Sequence, residues 1–288
     1  MIPRTLFSSD HETFRDTVRK FLENEAVPFN EEWEQQGVVP KDVWLKAGEQ
    51  GFLCPMVGEE YGGIGADFLY SVVINEEISK LGLTGIGWGL HTEIVAPYIE
   101  HNGSEVLKQK YLPKMVTGEM IGAIAMTEPG AGSDLQGVKT TAVKDGDHYV
   151  LNGSKTFITN GQNADIVIVV AKTDPTKGAK GISLFVVETD SEGFEKGKNL
   201  KKVGMKAQDT SELFFQDVRV PAENLLGEEG MGFIYLMKEL PQERLGISIG
   251  GLAMAESALA HTIEYVKERK AFGKPVSYTH LRAHETSE

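Results

Sequence analysis

The feature that most constrains the fold is hydrophobic periodicity, which changes twice along the 288 residues. Up to about residue 120, apolar residues recur at the spacing of amphipathic helices. From about residue 121 to 230, short β-branched runs replace that spacing, and helical spacing then returns. This order predicts an α+β multi-domain protein. We expect an N-terminal helical domain at 1–120, a central β-barrel-like domain at 121–230, and the start of a C-terminal helical bundle at 231–276.

The N-terminal region has several helix signals. Ser9 and Glu12 have the spacing of a capping box before the first helix. A second helix is predicted over 40–48, with Trp44 and Leu45 facing inward. Further helices are predicted at 67–81, 91–100 and 104–115, the last of them capped by Ser104.

Turn residues divide the central region into strands. The pairs Asp145-Gly146, Asn152-Gly153 and Asn160-Gly161 are typical of hairpin turns. The run 166–170 is wholly apolar, which predicts a strand covered on both faces. The strands are predicted at 148–151, 155–158, 166–171, 182–187 and 212–220.

Composition excludes several classes of function. The net charge of −13 disfavours nucleic-acid binding, because an acidic surface repels phosphates. The single cysteine, Cys54, cannot form an internal disulfide and fits a reducing compartment. No secretory signal or membrane span is visible, so a soluble intracellular protein is expected. His280 and His284 lack accompanying carboxylate ligands, so no metal site is expected.

Two segments of the β region carry residues that could contact a ligand. In the first, a strand at 124–126 runs into a glycine-rich turn flanked by the hydroxyls of Thr127 and Ser133. Such a turn can bind an anionic ligand through backbone amides, or it can be an ordinary tight turn. In the second, Phe157 and Thr159 share one strand face, which suits either a flat heteroaromatic ring or plain sheet packing.

Two segments near the C-terminus carry charge. Pro241 is predicted to start a helix, which would place Glu243 in its first turn, where the helix dipole favours a carboxylate. A capping carboxylate beside a solvated Arg244 is the simplest interpretation of that pattern. The basic cluster at 267–274 either complements a helix C-terminus or holds a pyrophosphate.

Taken together and in order, these segments resemble the acyl-CoA dehydrogenase family over roughly residues 5–276. The run Thr-Glu-Pro-Gly-Ala-Gly-Ser-Asp at 127–134 is similar to the family's first signature, and Glu-Arg-Lys-Ala-Phe-Gly at 268–273 to its second. The stretches 204–210 and 239–245 are most similar to the long-chain branch.

The resemblance implies specific roles for individual residues. Glu243 would be the catalytic base, since long-chain and isovaleryl-type members carry their base in a Glu-Arg pair at this helix. The cofactor would be FAD, and Arg269 would reach the FAD of a neighbouring subunit. The other implied FAD-binding residues are Met126, Thr127, Ser133, Phe157, Ile158 and Thr159. The implied acyl-CoA-binding residues are Ser133, Pro241, Gln242 and Arg244.

The implied reaction is α,β-dehydrogenation of a fatty acyl-CoA to a trans-2-enoyl-CoA in fatty acid β-oxidation, with electrons passed to an electron-transfer flavoprotein. The family usually forms homotetramers, in the bacterial cytoplasm or the mitochondrial matrix. A flavin oxidase of the same fold is an alternative. The tail 277–288 departs from the family pattern, so the chain is expected to be C-terminally truncated, and an inactive fragment is a further alternative. Ile234 and Leu236 are candidates for the lining of the acyl pocket.

Overall fold

The computed structural model describes residues 5–277. The atypical tail and the histidine pair at 280 and 284 therefore fall outside the described residues, apart from Ser277. The architecture is the predicted one, with a helical region, a sheet region and a long C-terminal helix.

The N-terminal region contains six α-helices and a turn of π-helix. The first helix is capped by Ser8, whose Oγ accepts from the amide of His11, and not by Ser9 as the sequence suggested. Trp44 is buried as predicted, whereas Leu45 is exposed, because the buried face carries Val43 and Ala47. The helices are α1 (Ser9–Glu25), α2 (Asn30–Gln36), α3 (Lys41–Glu49), α4 (Phe68–Lys80), the π-helix (Leu90–Val95), α5 (Ala96–Asn102) and α6 (Glu105–Val116).

A buried histidine joins the helices to the sheet. Nδ1 of His91 accepts from the amide of Gly122 at 3.0 Å, and its Nε2 donates to the carbonyl of Met115 at 3.0 Å. Burial lowers the pKa of His91 to about 4, so its imidazole is neutral near pH 7. This residue fixes the π-helix against the first strand, next to the cavity described below.

The central region is one curled sheet of seven strands in the order β1-β4-β2-β3-β7-β6, with β5 paired to β4. Strand β4 is buried along nearly its whole length, as its apolar composition predicted. The strands are β1 (Gly122–Ala125), β2 (Thr141–Asp145), β3 (His148–Thr159), β4 (Ile166–Lys172), β5 (Ile182–Glu188), β6 (Phe194–Asn199) and β7 (Thr210–Pro221).

Two of the three predicted hairpin turns are not hairpins. Asp145-Gly146 does connect the antiparallel strands β2 and β3. Asn152-Gly153 instead lies inside β3, where the pairing with β7 shifts register, so the two predicted strands are one long bulged strand. Asn160-Gly161 ends β3, and the following strand β4 does not pair with β3. The sequence pattern also missed β6, which is largely polar.

The C-terminal region is dominated by α7 (Gly232–Glu268), a helix of 37 residues. It passes through Pro241, so the prediction that a helix starts there is wrong. Its length is about 55 Å at 1.5 Å per residue. Packing against α4 and the π-helix outweighs the cost of the missing proline hydrogen bond. A short hairpin of β8 (Lys270–Ala271) and β9 (Lys274–Pro275) follows.

Candidate active site

A cavity of about 440 Å³ lies where the helical region, the sheet and α7 meet. Its walls come from α4, from the segment 83–94 that includes the π-helix, and from one face of α7. Thr159, at the end of β3, and the 205–208 loop close the sheet side. The lining is mostly apolar, as expected for a site that holds a hydrocarbon chain.

Glu243 projects into this cavity from the middle of α7 and is only 8% exposed. Gly246 and Gly250 follow at three and seven residues, so all three lie on the same face of the helix. The absence of side chains at the two glycines leaves room for the carboxyl of Glu93 beside Gly246 and for the amide of Asn75 beside Gly250. Thr159 lines the same cavity from the sheet side.

The hydroxyl of Tyr98 orients this carboxylate. It donates to Oε1 of Glu243 at 2.8 Å, and Tyr98 is fully buried. Within residues 5–277, Oε2 makes no hydrogen bond, so this oxygen is free to take a proton. Burial and the nearby Glu239 raise the pKa of Glu243 above its usual range, although Tyr98 and Arg244 oppose the shift. The side chain is therefore a stronger base than an exposed glutamate.

A second carboxyl group, that of Glu93, lines the same cavity from the π-helix. Its side chain is buried, and burial raises its pKa to about 8. The Nε2 of Gln242 donates to the backbone carbonyl of Glu93 at 3.2 Å, which ties the π-helix to α7 beside the base.

The aromatic side chain expected to contact a flavin stands out from the sheet. Phe157 lies at a second register shift between β3 and β7 and has a positive φ of 60°. A phenylalanine in this conformation is strained, and such strain is concentrated at functional sites. The ring is 67% exposed and lies two residues before Thr159. The next residue, Ile158, is buried in the sheet core, so it can meet a cofactor only through its backbone.

The two predicted cofactor segments are in direct contact. The amide of Thr156 donates to the carbonyl of Thr127 at 2.9 Å. Beneath them, the ammonium of Lys155 lies 2.9 Å from Oε1 of Glu128 and also donates to the carbonyl of Met126. Both ionic side chains are buried. The structure thus brings together the 126–128 and 155–159 segments that the sequence singled out separately.

Glu128 also orders the glycine-rich turn. Its carboxylate accepts from the backbone amides of Lys139 and Thr140 at 2.6 and 3.0 Å. Burial by itself would raise the pKa of Glu128, but Lys155 and these amides outweigh it and hold the pKa below its usual range. The turn that follows, with Gly130, Gly132 and Ser133, is exposed and open to a ligand.

The remaining predicted site residues lie farther from the cavity. Pro241 and Arg244 are exposed on α7, and Ser133 is exposed on the glycine-rich turn. Arg269 is exposed beyond the end of α7, about 39 Å along the helix from Glu243, and donates to the hydroxyl of Tyr265. Neither pocket candidate lines the cavity, because Leu236 is buried in the core and Ile234 is exposed.

Sequence reasoning missed Tyr98, Glu93 and the Lys155–Glu128 pair. Tyr98 and Glu93 lie about 150 residues before Glu243, and no local pattern connects them. Lys155 and Glu128 both fall inside segments that the sequence had singled out, but their pairing requires the strand register.

Metal-binding clusters and membrane-spanning helices are both absent from the described part of the chain, residues 5–277. No cluster of histidine, cysteine and carboxylate side chains there could hold a metal ion. No helix there has the length and apolar composition needed to cross a membrane.

Three family models match the chain consecutively. They are the acyl-CoA dehydrogenase N-terminal domain at residues 8–119, the middle domain at 123–218 and the C-terminal domain at 230–287. The chain is also 52% identical over 287 residues to the mitochondrial long-chain specific acyl-CoA dehydrogenase of Sus scrofa. The match covers 99% of this chain and 67% of that relative, so the chain spans about two thirds of its length.

Solved structures share the fold. An acyl-CoA dehydrogenase from Geobacillus kaustophilus matches with a TM-score of 0.95 and 56% identity, covering 98% of this chain and 76% of that one. A chain in the structure of the electron transferring flavoprotein of Acidaminococcus fermentans matches with a TM-score of 0.91 and 40% identity, covering 98% and 74%. An acyl-CoA dehydrogenase complexed with FAD from Bacillus anthracis matches with a TM-score of 0.88 and 39% identity, covering 96% and 48%.

The order of the three matched domains, the identity to the long-chain relative and the shared fold all indicate the same family. The chain belongs to the acyl-CoA dehydrogenase family.

Proposed function

We propose that the chain catalyses the FAD-dependent α,β-dehydrogenation of a fatty acyl-CoA thioester to a trans-2-enoyl-CoA, with Glu243 as the base. One observation carries this proposal. A buried carboxylate with a raised pKa lines a mostly apolar cavity, and within the described chain only one of its two oxygens accepts a hydrogen bond. That is the geometry that proton abstraction next to a carbonyl requires.

The residues on the sheet side fit FAD. An exposed aromatic ring at Phe157, held by a strained bulge, offers a plane beside the hydroxyls of Thr127 and Thr159. The backbone of the ordered turn after Glu128, together with Ser133, offers polar groups next to that plane. Met126, Thr127, Phe157, Thr159 and the backbone of Ile158 would hold the ring system. When bound, FAD would accept the β-hydrogen of the substrate as a hydride.

The chain itself supplies orientation and the proton acceptor. Oε2 of Glu243 takes the α-proton, while Tyr98 holds Oε1 and fixes the plane of the carboxylate. The apolar walls exclude water, which strengthens the interaction between the carboxylate and the developing charge. Gln242, anchored on the carbonyl of Glu93, positions the helical turn that bears the base, and Ser133, Pro241 and Arg244 would contact the CoA portion.

The proposed partner is an electron-transfer flavoprotein, as in fatty acid β-oxidation. The shared fold with a chain from the A. fermentans electron transferring flavoprotein structure supports this partner. A homotetramer is the proposed assembly, and the distance of Arg269 from Glu243 supports its role at the FAD of a neighbouring subunit. The mitochondrial name of the S. scrofa relative supports a matrix location in a eukaryotic cell, with the cytoplasm as the counterpart in a bacterium.

The experiment compares Glu243→Gln with the unchanged chain. Both are purified with added FAD, and flavin absorbance and dye reduction by hexadecanoyl-CoA are measured. A general base contributes about 10²- to 10⁴-fold, so the rate should fall at least about 10²-fold while flavin binding persists. Glu264→Gln, which removes an exposed carboxylate from the same helix, is the matched control and should keep the full rate.

Three results would count against the proposal. A Glu243→Gln protein that binds flavin and keeps the full rate would exclude Glu243 as the base. Oxygen consumption by the unchanged chain without an electron-transfer partner would indicate a flavin oxidase. Failure to retain flavin would indicate an inactive fragment.

A further inference from the structure

The carboxyl group of Glu93 lines the cavity but has no use in the reaction as derived above. The residue is 8% exposed, and its side chain reaches the cavity from the π-helix. Within residues 5–277, neither of its carboxyl oxygens makes a hydrogen bond or an ion pair. The other buried carboxylates described above, Glu128 and Glu243, each have donors. Glu93 is therefore an unsatisfied polar group in the wall of a ligand cavity.

Its position relative to the base is set by α7. A Cβ added to Gly246 would lie 2.7 Å from Oε2 of Glu93, so the carboxyl occupies the space that this glycine leaves. Gly246 lies three residues after Glu243, which is about 4.5 Å along the helix axis. The carboxyl of Glu93 is therefore placed about one helical turn beyond the base, on the same side of the cavity.

The polar neighbours of Glu93 are already paired with each other. Nδ2 of Asn75 donates to the carbonyl of Gly246 at 2.9 Å, and Oγ of Ser79 donates to Oδ1 of Asn75 at 3.4 Å. Both side chains line the cavity, but their hydrogen bonds are made within the wall. Glu93 is the member of this polar wall that still needs a partner.

The charge state of Glu93 restricts what that partner can be. Burial raises its pKa to about 8, so the protonated form predominates near neutral pH and can both donate and accept. No lysine or arginine lines the cavity over the described residues, whereas Glu243 does. An ionised carboxylate on a ligand would therefore meet like charge. A neutral hydroxyl would satisfy Glu93 without that repulsion.

We propose that Glu93 is a specificity-determining residue whose carboxyl group hydrogen-bonds a hydroxyl on the acyl chain, so that the cavity favours hydroxylated acyl-CoA thioesters over unsubstituted ones of equal length. The inference rests on the proposed function, because it requires an acyl chain to fill this cavity. An unsubstituted chain would leave Glu93 buried and unpaired, which is unfavourable because the carboxyl group would lose water without gaining a partner. Sites built to pair with a substrate hydroxyl reject analogues that lack it for this reason.

The test measures binding and turnover of hexadecanoyl-CoA and of singly hydroxylated hexadecanoyl-CoA analogues, each with the hydroxyl at a different position. Calorimetry gives the dissociation constants, and dye reduction gives kcat/KM. The full chain is compared with Glu93→Leu, Glu93→Gln and Met254→Leu. The last variant changes shape in the same cavity without changing a polar group, and it is the matched control.

The unchanged chain should bind at least one positional analogue about tenfold more tightly than hexadecanoyl-CoA, which corresponds to one hydrogen bond. Glu93→Leu should abolish this preference, and Met254→Leu should keep it. Glu93→Gln should also keep it, because an amide donates and accepts. In difference infrared spectra, the band of a protonated carboxyl should shift when the preferred analogue binds and should be missing in Glu93→Gln, a readout that does not depend on how Glu93→Leu folds.

The outcomes separate the inference from the proposed function. Glu243-dependent oxidation with no preference for any hydroxylated analogue, or a preference that survives Glu93→Leu, would overturn the role of Glu93 and leave the proposed function standing. A Glu93-dependent binding preference without any oxidation would support the role of Glu93 and count against the reaction. An absence of binding by every acyl-CoA tested would overturn both.

Discussion

At the scale of single residues, burial decides the chemistry of three side chains around the cavity. Glu243 is kept ionisable by one phenol, Glu93 is kept mostly protonated, and His91 is kept neutral. In each case desolvation disfavours the charged form, and the number of hydrogen-bond partners determines how far the pKa moves.

Removing the phenol hydroxyl with Tyr98→Phe should raise the pKa of Glu243 further. The hydroxyl donates to the ionised carboxylate, so its loss favours the protonated form. The acidic limb of the kcat/KM profile should move to higher pH by about one unit, as expected for the loss of one hydrogen bond to a charged group. Tyr61→Phe, which loses a hydroxyl bonded to surface Glu105, is the control and should leave the limb in place. An unmoved limb in Tyr98→Phe would show that Tyr98 does not act on the base.

Glu93→Gln should change how stability depends on pH. The pKa of Glu93 is raised by folding, so this residue destabilises the fold increasingly as pH rises from about 4.5 to about 8. The glutamine variant lacks this effect. The Tm of the variant relative to the unchanged chain should therefore increase with pH through that window. The corresponding gain in unfolding free energy is on the order of a few kcal/mol. A constant Tm difference across the window would contradict a raised pKa.

At the scale of elements, a buried ion pair joins the turn after β1 to the bulge of β3. Lys155→Met would leave the carboxylate of Glu128 buried without its cation. Breaking one side of a buried pair costs about 3–5 kcal/mol, so urea denaturation should show a loss of that size, together with weaker flavin binding. Lys177→Met, which breaks an exposed pair with Asp174, is the control and should have a much smaller effect. An equal loss of unfolding free energy in both variants would show that the buried pair contributes no more to stability than the exposed pair.

Replacing a helical glycine with alanine should stabilise the chain at one position and destabilise it at another. A Cβ added to Gly251 in α7 meets no atom within 4 Å, so Gly251→Ala should stabilise the chain by up to about 1 kcal/mol through helix propensity. A Cβ on Gly48 in α3 would lie 2.2 Å from the carbonyl oxygen of Thr117, so Gly48→Ala should destabilise it clearly. Thermal unfolding shows whether each variant is more or less stable than the unchanged chain. A destabilised Gly251→Ala variant would contradict the open space around the Cβ position of Gly251.

At the scale of the whole molecule, α7 presents a long apolar face outside the cavity. Its exposed apolar residues include Leu245, Leu252, Leu259 and Ile263. Apolar patches of this extent on a monomer mark interaction surfaces. We expect the chain to self-associate, with a mass in light scattering above the 31.6 kDa of one copy. The double variant Leu252→Lys/Leu259→Lys should reduce that mass, whereas Val203→Lys, on an exposed loop, should not. A monomeric unchanged chain would contradict this expectation.

The sequence by itself determined the order of helical and β regions, the buried strand β4 and the segments that surround the cavity. Each of these depends on local periodicity or on a contiguous motif, which short-range physics controls. The sequence also singled out Glu243, through a Glu-Arg pair that resembles the family's pattern. The helix start predicted at Pro241 is absent, because a proline inside a helix and a proline at its beginning have the same local sequence.

Only the tertiary structure decided which distant segments meet around that carboxylate. Tyr98, Glu93 and Asn75 come from helices far away in the chain, and Thr159 comes from a strand whose bulge breaks simple alternation. The pKa of a side chain depends on desolvation and on partners within a few ångströms, and neither is a local property of sequence. One short motif therefore led to Glu243 as the proposed base, while the pKa and the surroundings of this side chain came from packing.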